Sequence, residues 1–422
     1  MNVINSLIFI TSTVMKNKNM KNIKVLLILW FAIVLNNTVF SQLSDYTFGE
    51  GLTYKAKDSS FSMNASVRFQ TLFISDWSVR NDDFNNIGDL SSNFLIRRAR
   101  VKFDGFAYSP KLKYKIELAL ANRDTDHSGE SYYGEGGNIV LDAYLKWNFY
   151  KPFSLKVGQF KLAGNRERLL SSANLQFVDR SLLNSRFTLD RDIGASLHFD
   201  KTLGDQFGIE LSAAFTQGEG RNIISGNLGG YQTTFKAEIM PFGQFKNGGA
   251  YVGADVYREE TPKLAYAIAF DKNTGVSRSR GNTGLFFPNN VVLKDLMTIY
   301  TDLMFKYNGF SLMGEYVYRK TSDNNPRIFD NNGAMTIYSY FTGSAVNLQS
   351  GYLFKNNFEV SLRYTALRPY SATISPNLNH YLIGFSKYIK NHSLKVQTDL
   401  GYLENEFFDD GLTWRMQIEF GF

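Results

Sequence analysis

At 422 residues the chain is long enough for several small domains or for one large all-β domain. The absence of cysteine excludes a disulfide framework and thiolate metal sites. A formal charge of +7 suggests nucleic acid as a partner, until the charge is located along the chain.

Residues 1–41 read as a leader. A basic stretch, Met20-Lys21-Asn22-Ile23-Lys24, precedes the 11-residue apolar run "VLLILWFAIVL" (25–35). That run is too short to cross a bilayer as a helix and fits the core of a signal peptide. Val39 and Ser41 suit the −3 and −1 positions of a cleavage site, which puts the mature start at Gln42, and Met20 is an alternative true start. Removing 1–41 removes Lys16, Lys18, Lys21 and Lys24 and no acid, leaving 42 basic residues against 39 acidic ones. The global basicity is therefore largely a leader effect, no nucleic-acid partner is expected, and positive charge can matter only through local placement.

Residues 42–60 form a short polar segment, expected on the periplasmic side and too small to be a plug. From 61 to 422 the recurring signal is a period of two. In 111–120 the apolar residues Leu112, Tyr114, Ile116, Leu118 and Leu120 share one face, and Lys111, Lys113, Lys115 and Glu117 the other. Similar runs fall at 61–74, 94–107, 139–149, 153–161, 192–200, 206–217, 231–240, 263–271, 297–307, 309–319, 344–353, 357–366, 379–388, 392–402 and 412–422, sixteen in all. Tight connections alternate with long ones, and only 241–262 breaks the rule, with room for another short hairpin. The pattern predicts an all-β transmembrane antiparallel β-barrel of 16 strands, with short periplasmic turns and long extracellular loops. A water-soluble sandwich would rarely place its long loops on one side of so many strands. The final "WRMQIEFGF" is similar to the C-terminal strand by which outer-membrane proteins are recognised for assembly.

In such a barrel the apolar set meets lipid, so Arg98, Arg100, Lys102, Lys113 and Lys115 face the lumen. Like charges opposite one another on paired strands destabilise a sheet, and Asp104, Glu117 and Asp142 on the same faces supply part of the compensation. Water and mobile anions supply the rest, since ladders of Arg and Lys are the expected lining of an anion pore. The third long loop, 162–191, "LAGNRERLLSSANLQFVDRSLLNSRFTLDR", carries Arg166, Arg168, Arg180, Arg186 and Arg191 against Glu167, Asp179 and Asp190. It is too apolar for a free surface loop, and long loops with buried residues of their own are usually functional. Folded into the lumen it would narrow the path, where the flat donor fork of arginine suits phosphate or carboxylate.

The blocks "FLIRRARVKFDGFAYSPKLKYKIELALANRD" and "LKVGQFKLAGNRERLLSSANLQFVDRSLLNS", with "DRDIG", resemble the phosphate-selective porin O and P family of Gram-negative outer membranes. The resemblance implies a 16-stranded and usually trimeric barrel in contact with lipid and lipopolysaccharide. It also implies an inward-folded third loop and an arginine-lined constriction for phosphate-type anions. Carried onto this sequence, those positions are Arg166, Arg168, Arg180 and Arg186, with the ladder Arg98–Lys102.

No enzyme motif is present: His127, His198, His380 and His392 are scattered, with no HExxH, GxSxG, P-loop or GxGxxG. The stretch "DTDHSGESYYGE" places Asp124, Asp126, Ser128 and Glu135 at calcium-loop positions, with Gly129 at the turn. A structural calcium there is the one cofactor the sequence raises, against the simpler reading of a solvated acidic loop. The expected function is passive diffusion of small anions, phosphate or polyphosphate foremost. The alternatives are a weakly selective general porin, in which basic and acidic walls screen each other, and a surface-structural or adhesive barrel with binding loops.

Overall fold

The computed structural model describes residues 47–80, 83–125, 138–204, 206–224, 227–373 and 375–422. The leader lies outside them, as do Asp126, Ser128 and Glu135. Alternation of apolar and polar side chains, broken by turn residues, yields sixteen long strands. The first eight are β1 (Phe61–Val79), β2 (Ser91–Ala107), β3 (Ser109–Ala119), β4 (Val140–Tyr150), β5 (Phe153–Lys161), β6 (Arg191–Leu203), β7 (Phe207–Thr216) and β8 (Gln232–Met240). The second eight are β9 (Lys263–Asn273), β10 (Leu296–Tyr307), β11 (Phe310–Thr321), β12 (Gly343–Leu353), β13 (Phe358–Pro369), β14 (Leu378–Lys390), β15 (Leu394–Asn405) and β16 (Asp410–Gly421).

Each strand pairs antiparallel with its neighbour in sequence, and β16 returns to β1, with Gln417 opposite Leu72 and Gly421 opposite Arg68. Closure leaves no strand edge, which a sheet in hydrocarbon requires. Past Gly421 the place beside β1 is taken by a short strand, Leu52–Lys55, with Leu52 opposite Ala65. The tight connections use residues that tolerate positive φ: Asn308 (49°) with Gly309 (86°), Asn357 (61°) and Asn391 (45°).

The barrel is apolar outside and polar inside. Phe69, Leu145, Phe235, Ile268, Leu348 and Leu400 are exposed on the outer wall. Asp302, Glu315, Asn347, Arg363 and Gln397 are buried within it. All sixteen runs read from the sequence are strands. The segment 241–262 holds a turn and a short 3-10 helix (Lys246–Tyr251) rather than a hairpin. A hairpin does occur in the long connection after β11, where Arg327–Phe329 pairs with Met335–Ser339. Strands this short carry too few residues to show a period.

Candidate functional site

The segment 162–191 contacts the inner face of the strands opposite its own. Arg166 donates through Nε to Asp302 of β10 at 2.6 Å and lies 3.1 Å from Glu238 of β8. Glu167 meets Arg363 of β13 at 2.9 Å and also accepts from the Ser181 backbone N–H. Gln176 donates to Glu359, the Val178 N–H to Asp399, and Lys395 to the Leu175 carbonyl at 2.9 Å. Leu162, Leu183, Phe187 and Leu189 pack with Ala269, Val317, Ala345 and Leu367 of the wall, which explains the apolar content of the segment. The wall makes room for it: a Cβ on Gly351 would stand 2.0 Å from the Gln176 amide nitrogen. Together these contacts fasten the segment inside the barrel against β8–β15.

Its other face looks toward β2–β6 across a cavity of about 310 Å³. From the wall come Arg97, Arg98, Arg100, Lys161 and Arg191, from the inserted segment Arg168 and Arg180, and from the connection after β7 Arg221. Three carboxylates, Asp124, Asp179 and Asp190, line the same space, so eight cations face three acids. Asp179 binds both Arg97 (3.0 Å) and Arg98 (3.3 Å), Asp190 accepts from Arg168 Nε at 3.0 Å, and Arg191 donates to Asp142 at 2.6 Å. Burial alone would raise the Asp179 carboxyl, but Arg97, Arg98 and Arg415 outweigh it and hold the group well below the usual carboxylate range. Arg168, Arg191 and Arg221 do the same for Asp190. Both acids are therefore ionised at neutral pH.

Arg100 pairs with Glu117 and Asp124, both at 3.2 Å, and the other three cations are held by carbonyl oxygens. Arg180 donates to Glu167 O and Leu170 O at 3.0 and 2.9 Å, Lys161 to Leu169 O and Leu170 O, and Arg221 to Asp124 O. Carbonyls orient these groups without cancelling their charge. The buried nitrogens Arg97 Nε, Arg98 Nε, Arg100 Nε and Arg221 Nη1 have no acceptor among the described residues. Buried donors without partners are rare in folded proteins, and here four lie among the residues of one cationic chamber.

Arg100 also lines a second cavity of about 360 Å³ toward the tight-turn end, with Arg68, Lys102 and Lys115. The Ser172 hydroxyl on the inserted segment accepts from Arg68 at 2.7 Å and Arg100 at 3.2 Å, where the two spaces meet. Lys102 pairs with Asp104, and Lys115 with Glu117 at 2.8 Å. Beyond them Lys113, Lys146 and Lys156 stand directly opposite one another on β3, β4 and β5. No carboxylate pairs with any of the three among the described residues.

Of the sequence candidates, Arg98, Arg100, Arg168, Arg180 and Arg191 converge on the chamber, and Lys102 and Lys115 line the second cavity. Lys113 belongs to the lysine row. Arg166 is not a lining residue: it is 0% exposed and spent on Asp302 and Glu238. Arg186 stays outside both cavities, with its guanidinium over the Phe341 ring at 5.8 Å. Asp124, the described member of the calcium-loop pattern, pairs with Arg100 at 3.2 Å.

Sequence reasoning missed Arg97, Lys161 and Arg221. A register shift in the β1–β2 pairing between Gln70 and Thr71 places Arg97 as an extra residue, so adjacent arginines reach one carboxylate. The doubled Arg in "LIRRAR" is the signal that strict alternation overlooks.

Residues 72–246 match the family model described as phosphate-selective porin O and P. No curated protein matches the chain in sequence. Among solved structures, the anion-selective porin from Comamonas acidovorans aligns at 12% identity over 86% of this chain and 100% of its own, with a TM-score of 0.51. OmpF of Salmonella typhi, solved with daunomycin, aligns at 10% identity over 87% of this chain and 100% of its own, with a TM-score of 0.54. At such identities the likeness is one of fold. The matched segment contains every cation that lines the chamber. Over residues 72–246, therefore, the chain is similar to the phosphate-selective porin O and P family model, and as a whole it has the fold of a 16-stranded porin barrel.

Proposed function

We propose that the protein is an outer-membrane pore for passive diffusion of small anions, with phosphate or polyphosphate the leading solutes. The observation that carries this reading is the chamber of eight cations and three carboxylates between the inserted segment and the β2–β6 wall. An anion entering it meets Arg180, Lys161 and Arg221, which are bonded to carbonyl oxygens and in no ion pair among the described residues, and then Arg100, which lies between the two cavities. The guanidinium fork suits a tetrahedral oxyanion. Asp179 and Asp190 temper the attraction, and conduction needs this, because a site that binds too tightly does not release its ion. Export through a cleaved leader, a homotrimer embedded in lipid and lipopolysaccharide, and long loops facing outward complete the proposal. The porin family and fold favour a channel over an enzyme.

A second reading has its own observation. Arg97, Arg98, Arg100 and Arg191 already hold carboxylates, which favours a weakly selective general porin. The zero-current potential of the purified protein in a planar bilayer under a KCl gradient separates the two, repeated with phosphate added. An anion-side potential with phosphate block supports the proposal, and a potential near zero with stable conductance supports the general porin. No conductance at all would leave a surface-structural or adhesive barrel.

A further inference from the structure

The β8–β9 connection, 241–262, lies at the barrel end where the other connections are tight turns. Phe245, Ala250, Val252, Ala254, Asp255 and Glu259 in it are nonetheless buried. It is fastened to the wall: Lys306 of β10 donates to Ala254 O at 2.7 Å, the Tyr251 hydroxyl donates to Glu238 of β8, and the Gly309 N–H donates to Asp255 at 2.8 Å. It is also fastened to the inserted segment. Arg166 donates to Ala250 O at 3.0 Å, and the Gly253 N–H donates to Asn174 O at 2.8 Å. A Cβ on Gly253 would stand 2.7 Å from the Gln176 nitrogen and 2.8 Å from the Asn174 oxygen. Both are backbone atoms, so the crossing of the two segments requires glycine.

We infer that 241–262 is a strut that fixes the inserted segment from below and fills the lumen beside β8–β10, with Gly253 as the selectivity-determining contact. The inference rests on the pore reading above and adds a second constriction-forming element to it. With the strut in place, ions are confined to the basic wall. Without it, Asn174–Gln176 lose a backbone partner, and the path widens beside Glu238 and Asp302, two carboxylates balanced by Arg166 and Lys236. Conductance then rises while anion preference falls, the combination expected when a second path opens along a charge-balanced wall away from the basic one.

The test uses the full chain in planar bilayers under a KCl gradient. It compares wild type with Gly253→Ala, Gly253→Val and a variant in which 241–262 is replaced by Asn-Gly, the length of the tight turns used elsewhere. Heat-modifiable electrophoretic mobility reports barrel folding. Gly253→Val and the short-turn variant are expected to conduct more than wild type and to lose part of the anion-side potential, with Gly253→Ala between. Folded variants with unchanged conductance and potential overturn the strut and leave the pore reading intact. A wild type that conducts without an anion-side potential overturns the anion-selective reading, and one that does not conduct overturns the pore itself. Should Gly253→Val not fold, the Ala and short-turn variants carry the test.

Discussion

Arg180→Gln isolates the contribution of one charge that is in no ion pair among the described residues. Arg180 lines the chamber, and its donors go to two carbonyls, so glutamine removes the charge while keeping a donor within the same pocket. For an ion passing at about 6 Å, a unit charge in water contributes about 0.7 kcal/mol. A Debye length of about 10 Å at 0.1 M salt leaves about 0.4 kcal/mol of this. That is roughly a twofold change in partition, opposite in sign for anions and cations. The anion-to-cation permeability ratio should therefore fall about fourfold at 0.1 M, read as a smaller zero-current potential. At 1 M salt the Debye length is about 3 Å, about 0.1 kcal/mol survives, and the ratio should change by less than about 1.5-fold. An unchanged ratio at 0.1 M would refute the claim that ions pass Arg180, and an equal change at both salt concentrations would refute its electrostatic origin.

Glu167→Ala leaves Arg363 buried without its partner, at a local cost of about 3–5 kcal/mol. The inserted segment should loosen, seen as larger and noisier single-channel conductance, with Glu167→Gln showing a milder form. Lys146→Glu places a carboxylate between Lys113 and Lys156, relieving like-charge contacts of about 0.2–1 kcal/mol each. Anion preference should drop while resistance to urea rises, and reduced stability would show that the lysine row is already neutralised. Ile268→Arg puts a charge on the outer wall near the middle of β9 and should destabilise the barrel by about 2–4 kcal/mol in liposome refolding titrations. A neutral effect there would mean that this face does not meet lipid.

The sixteen strands and the direction of their side chains were legible from residue order, because alternation and turn chemistry are local properties. Even "FLIRRARVKF" announces an inward-facing basic wall before any partner strand is known. The inserted segment also declared itself, through apolar residues that no surface loop needs. What each of its arginines does was not legible. Arg166 and Arg168 sit two positions apart, yet Arg166 is buried against Asp302 and Glu238, while Arg168 lines the chamber beside Asp190. The difference lies in which wall each meets: Asp302 stands 136 residues along the chain from Arg166, whereas Arg168 turns to Asp190, 22 residues on. Lys161 and Arg221 join the chamber for the same reason, and Arg97 joins it through a bulge that only strand pairing defines. The inward fold of 241–262 depends on Gly253 meeting Asn174, a contact between two connections that carries no periodic trace. Periodicity determined the wall and its polarity, whereas packing inside the closed barrel decided which charges are cancelled and which are left facing the path.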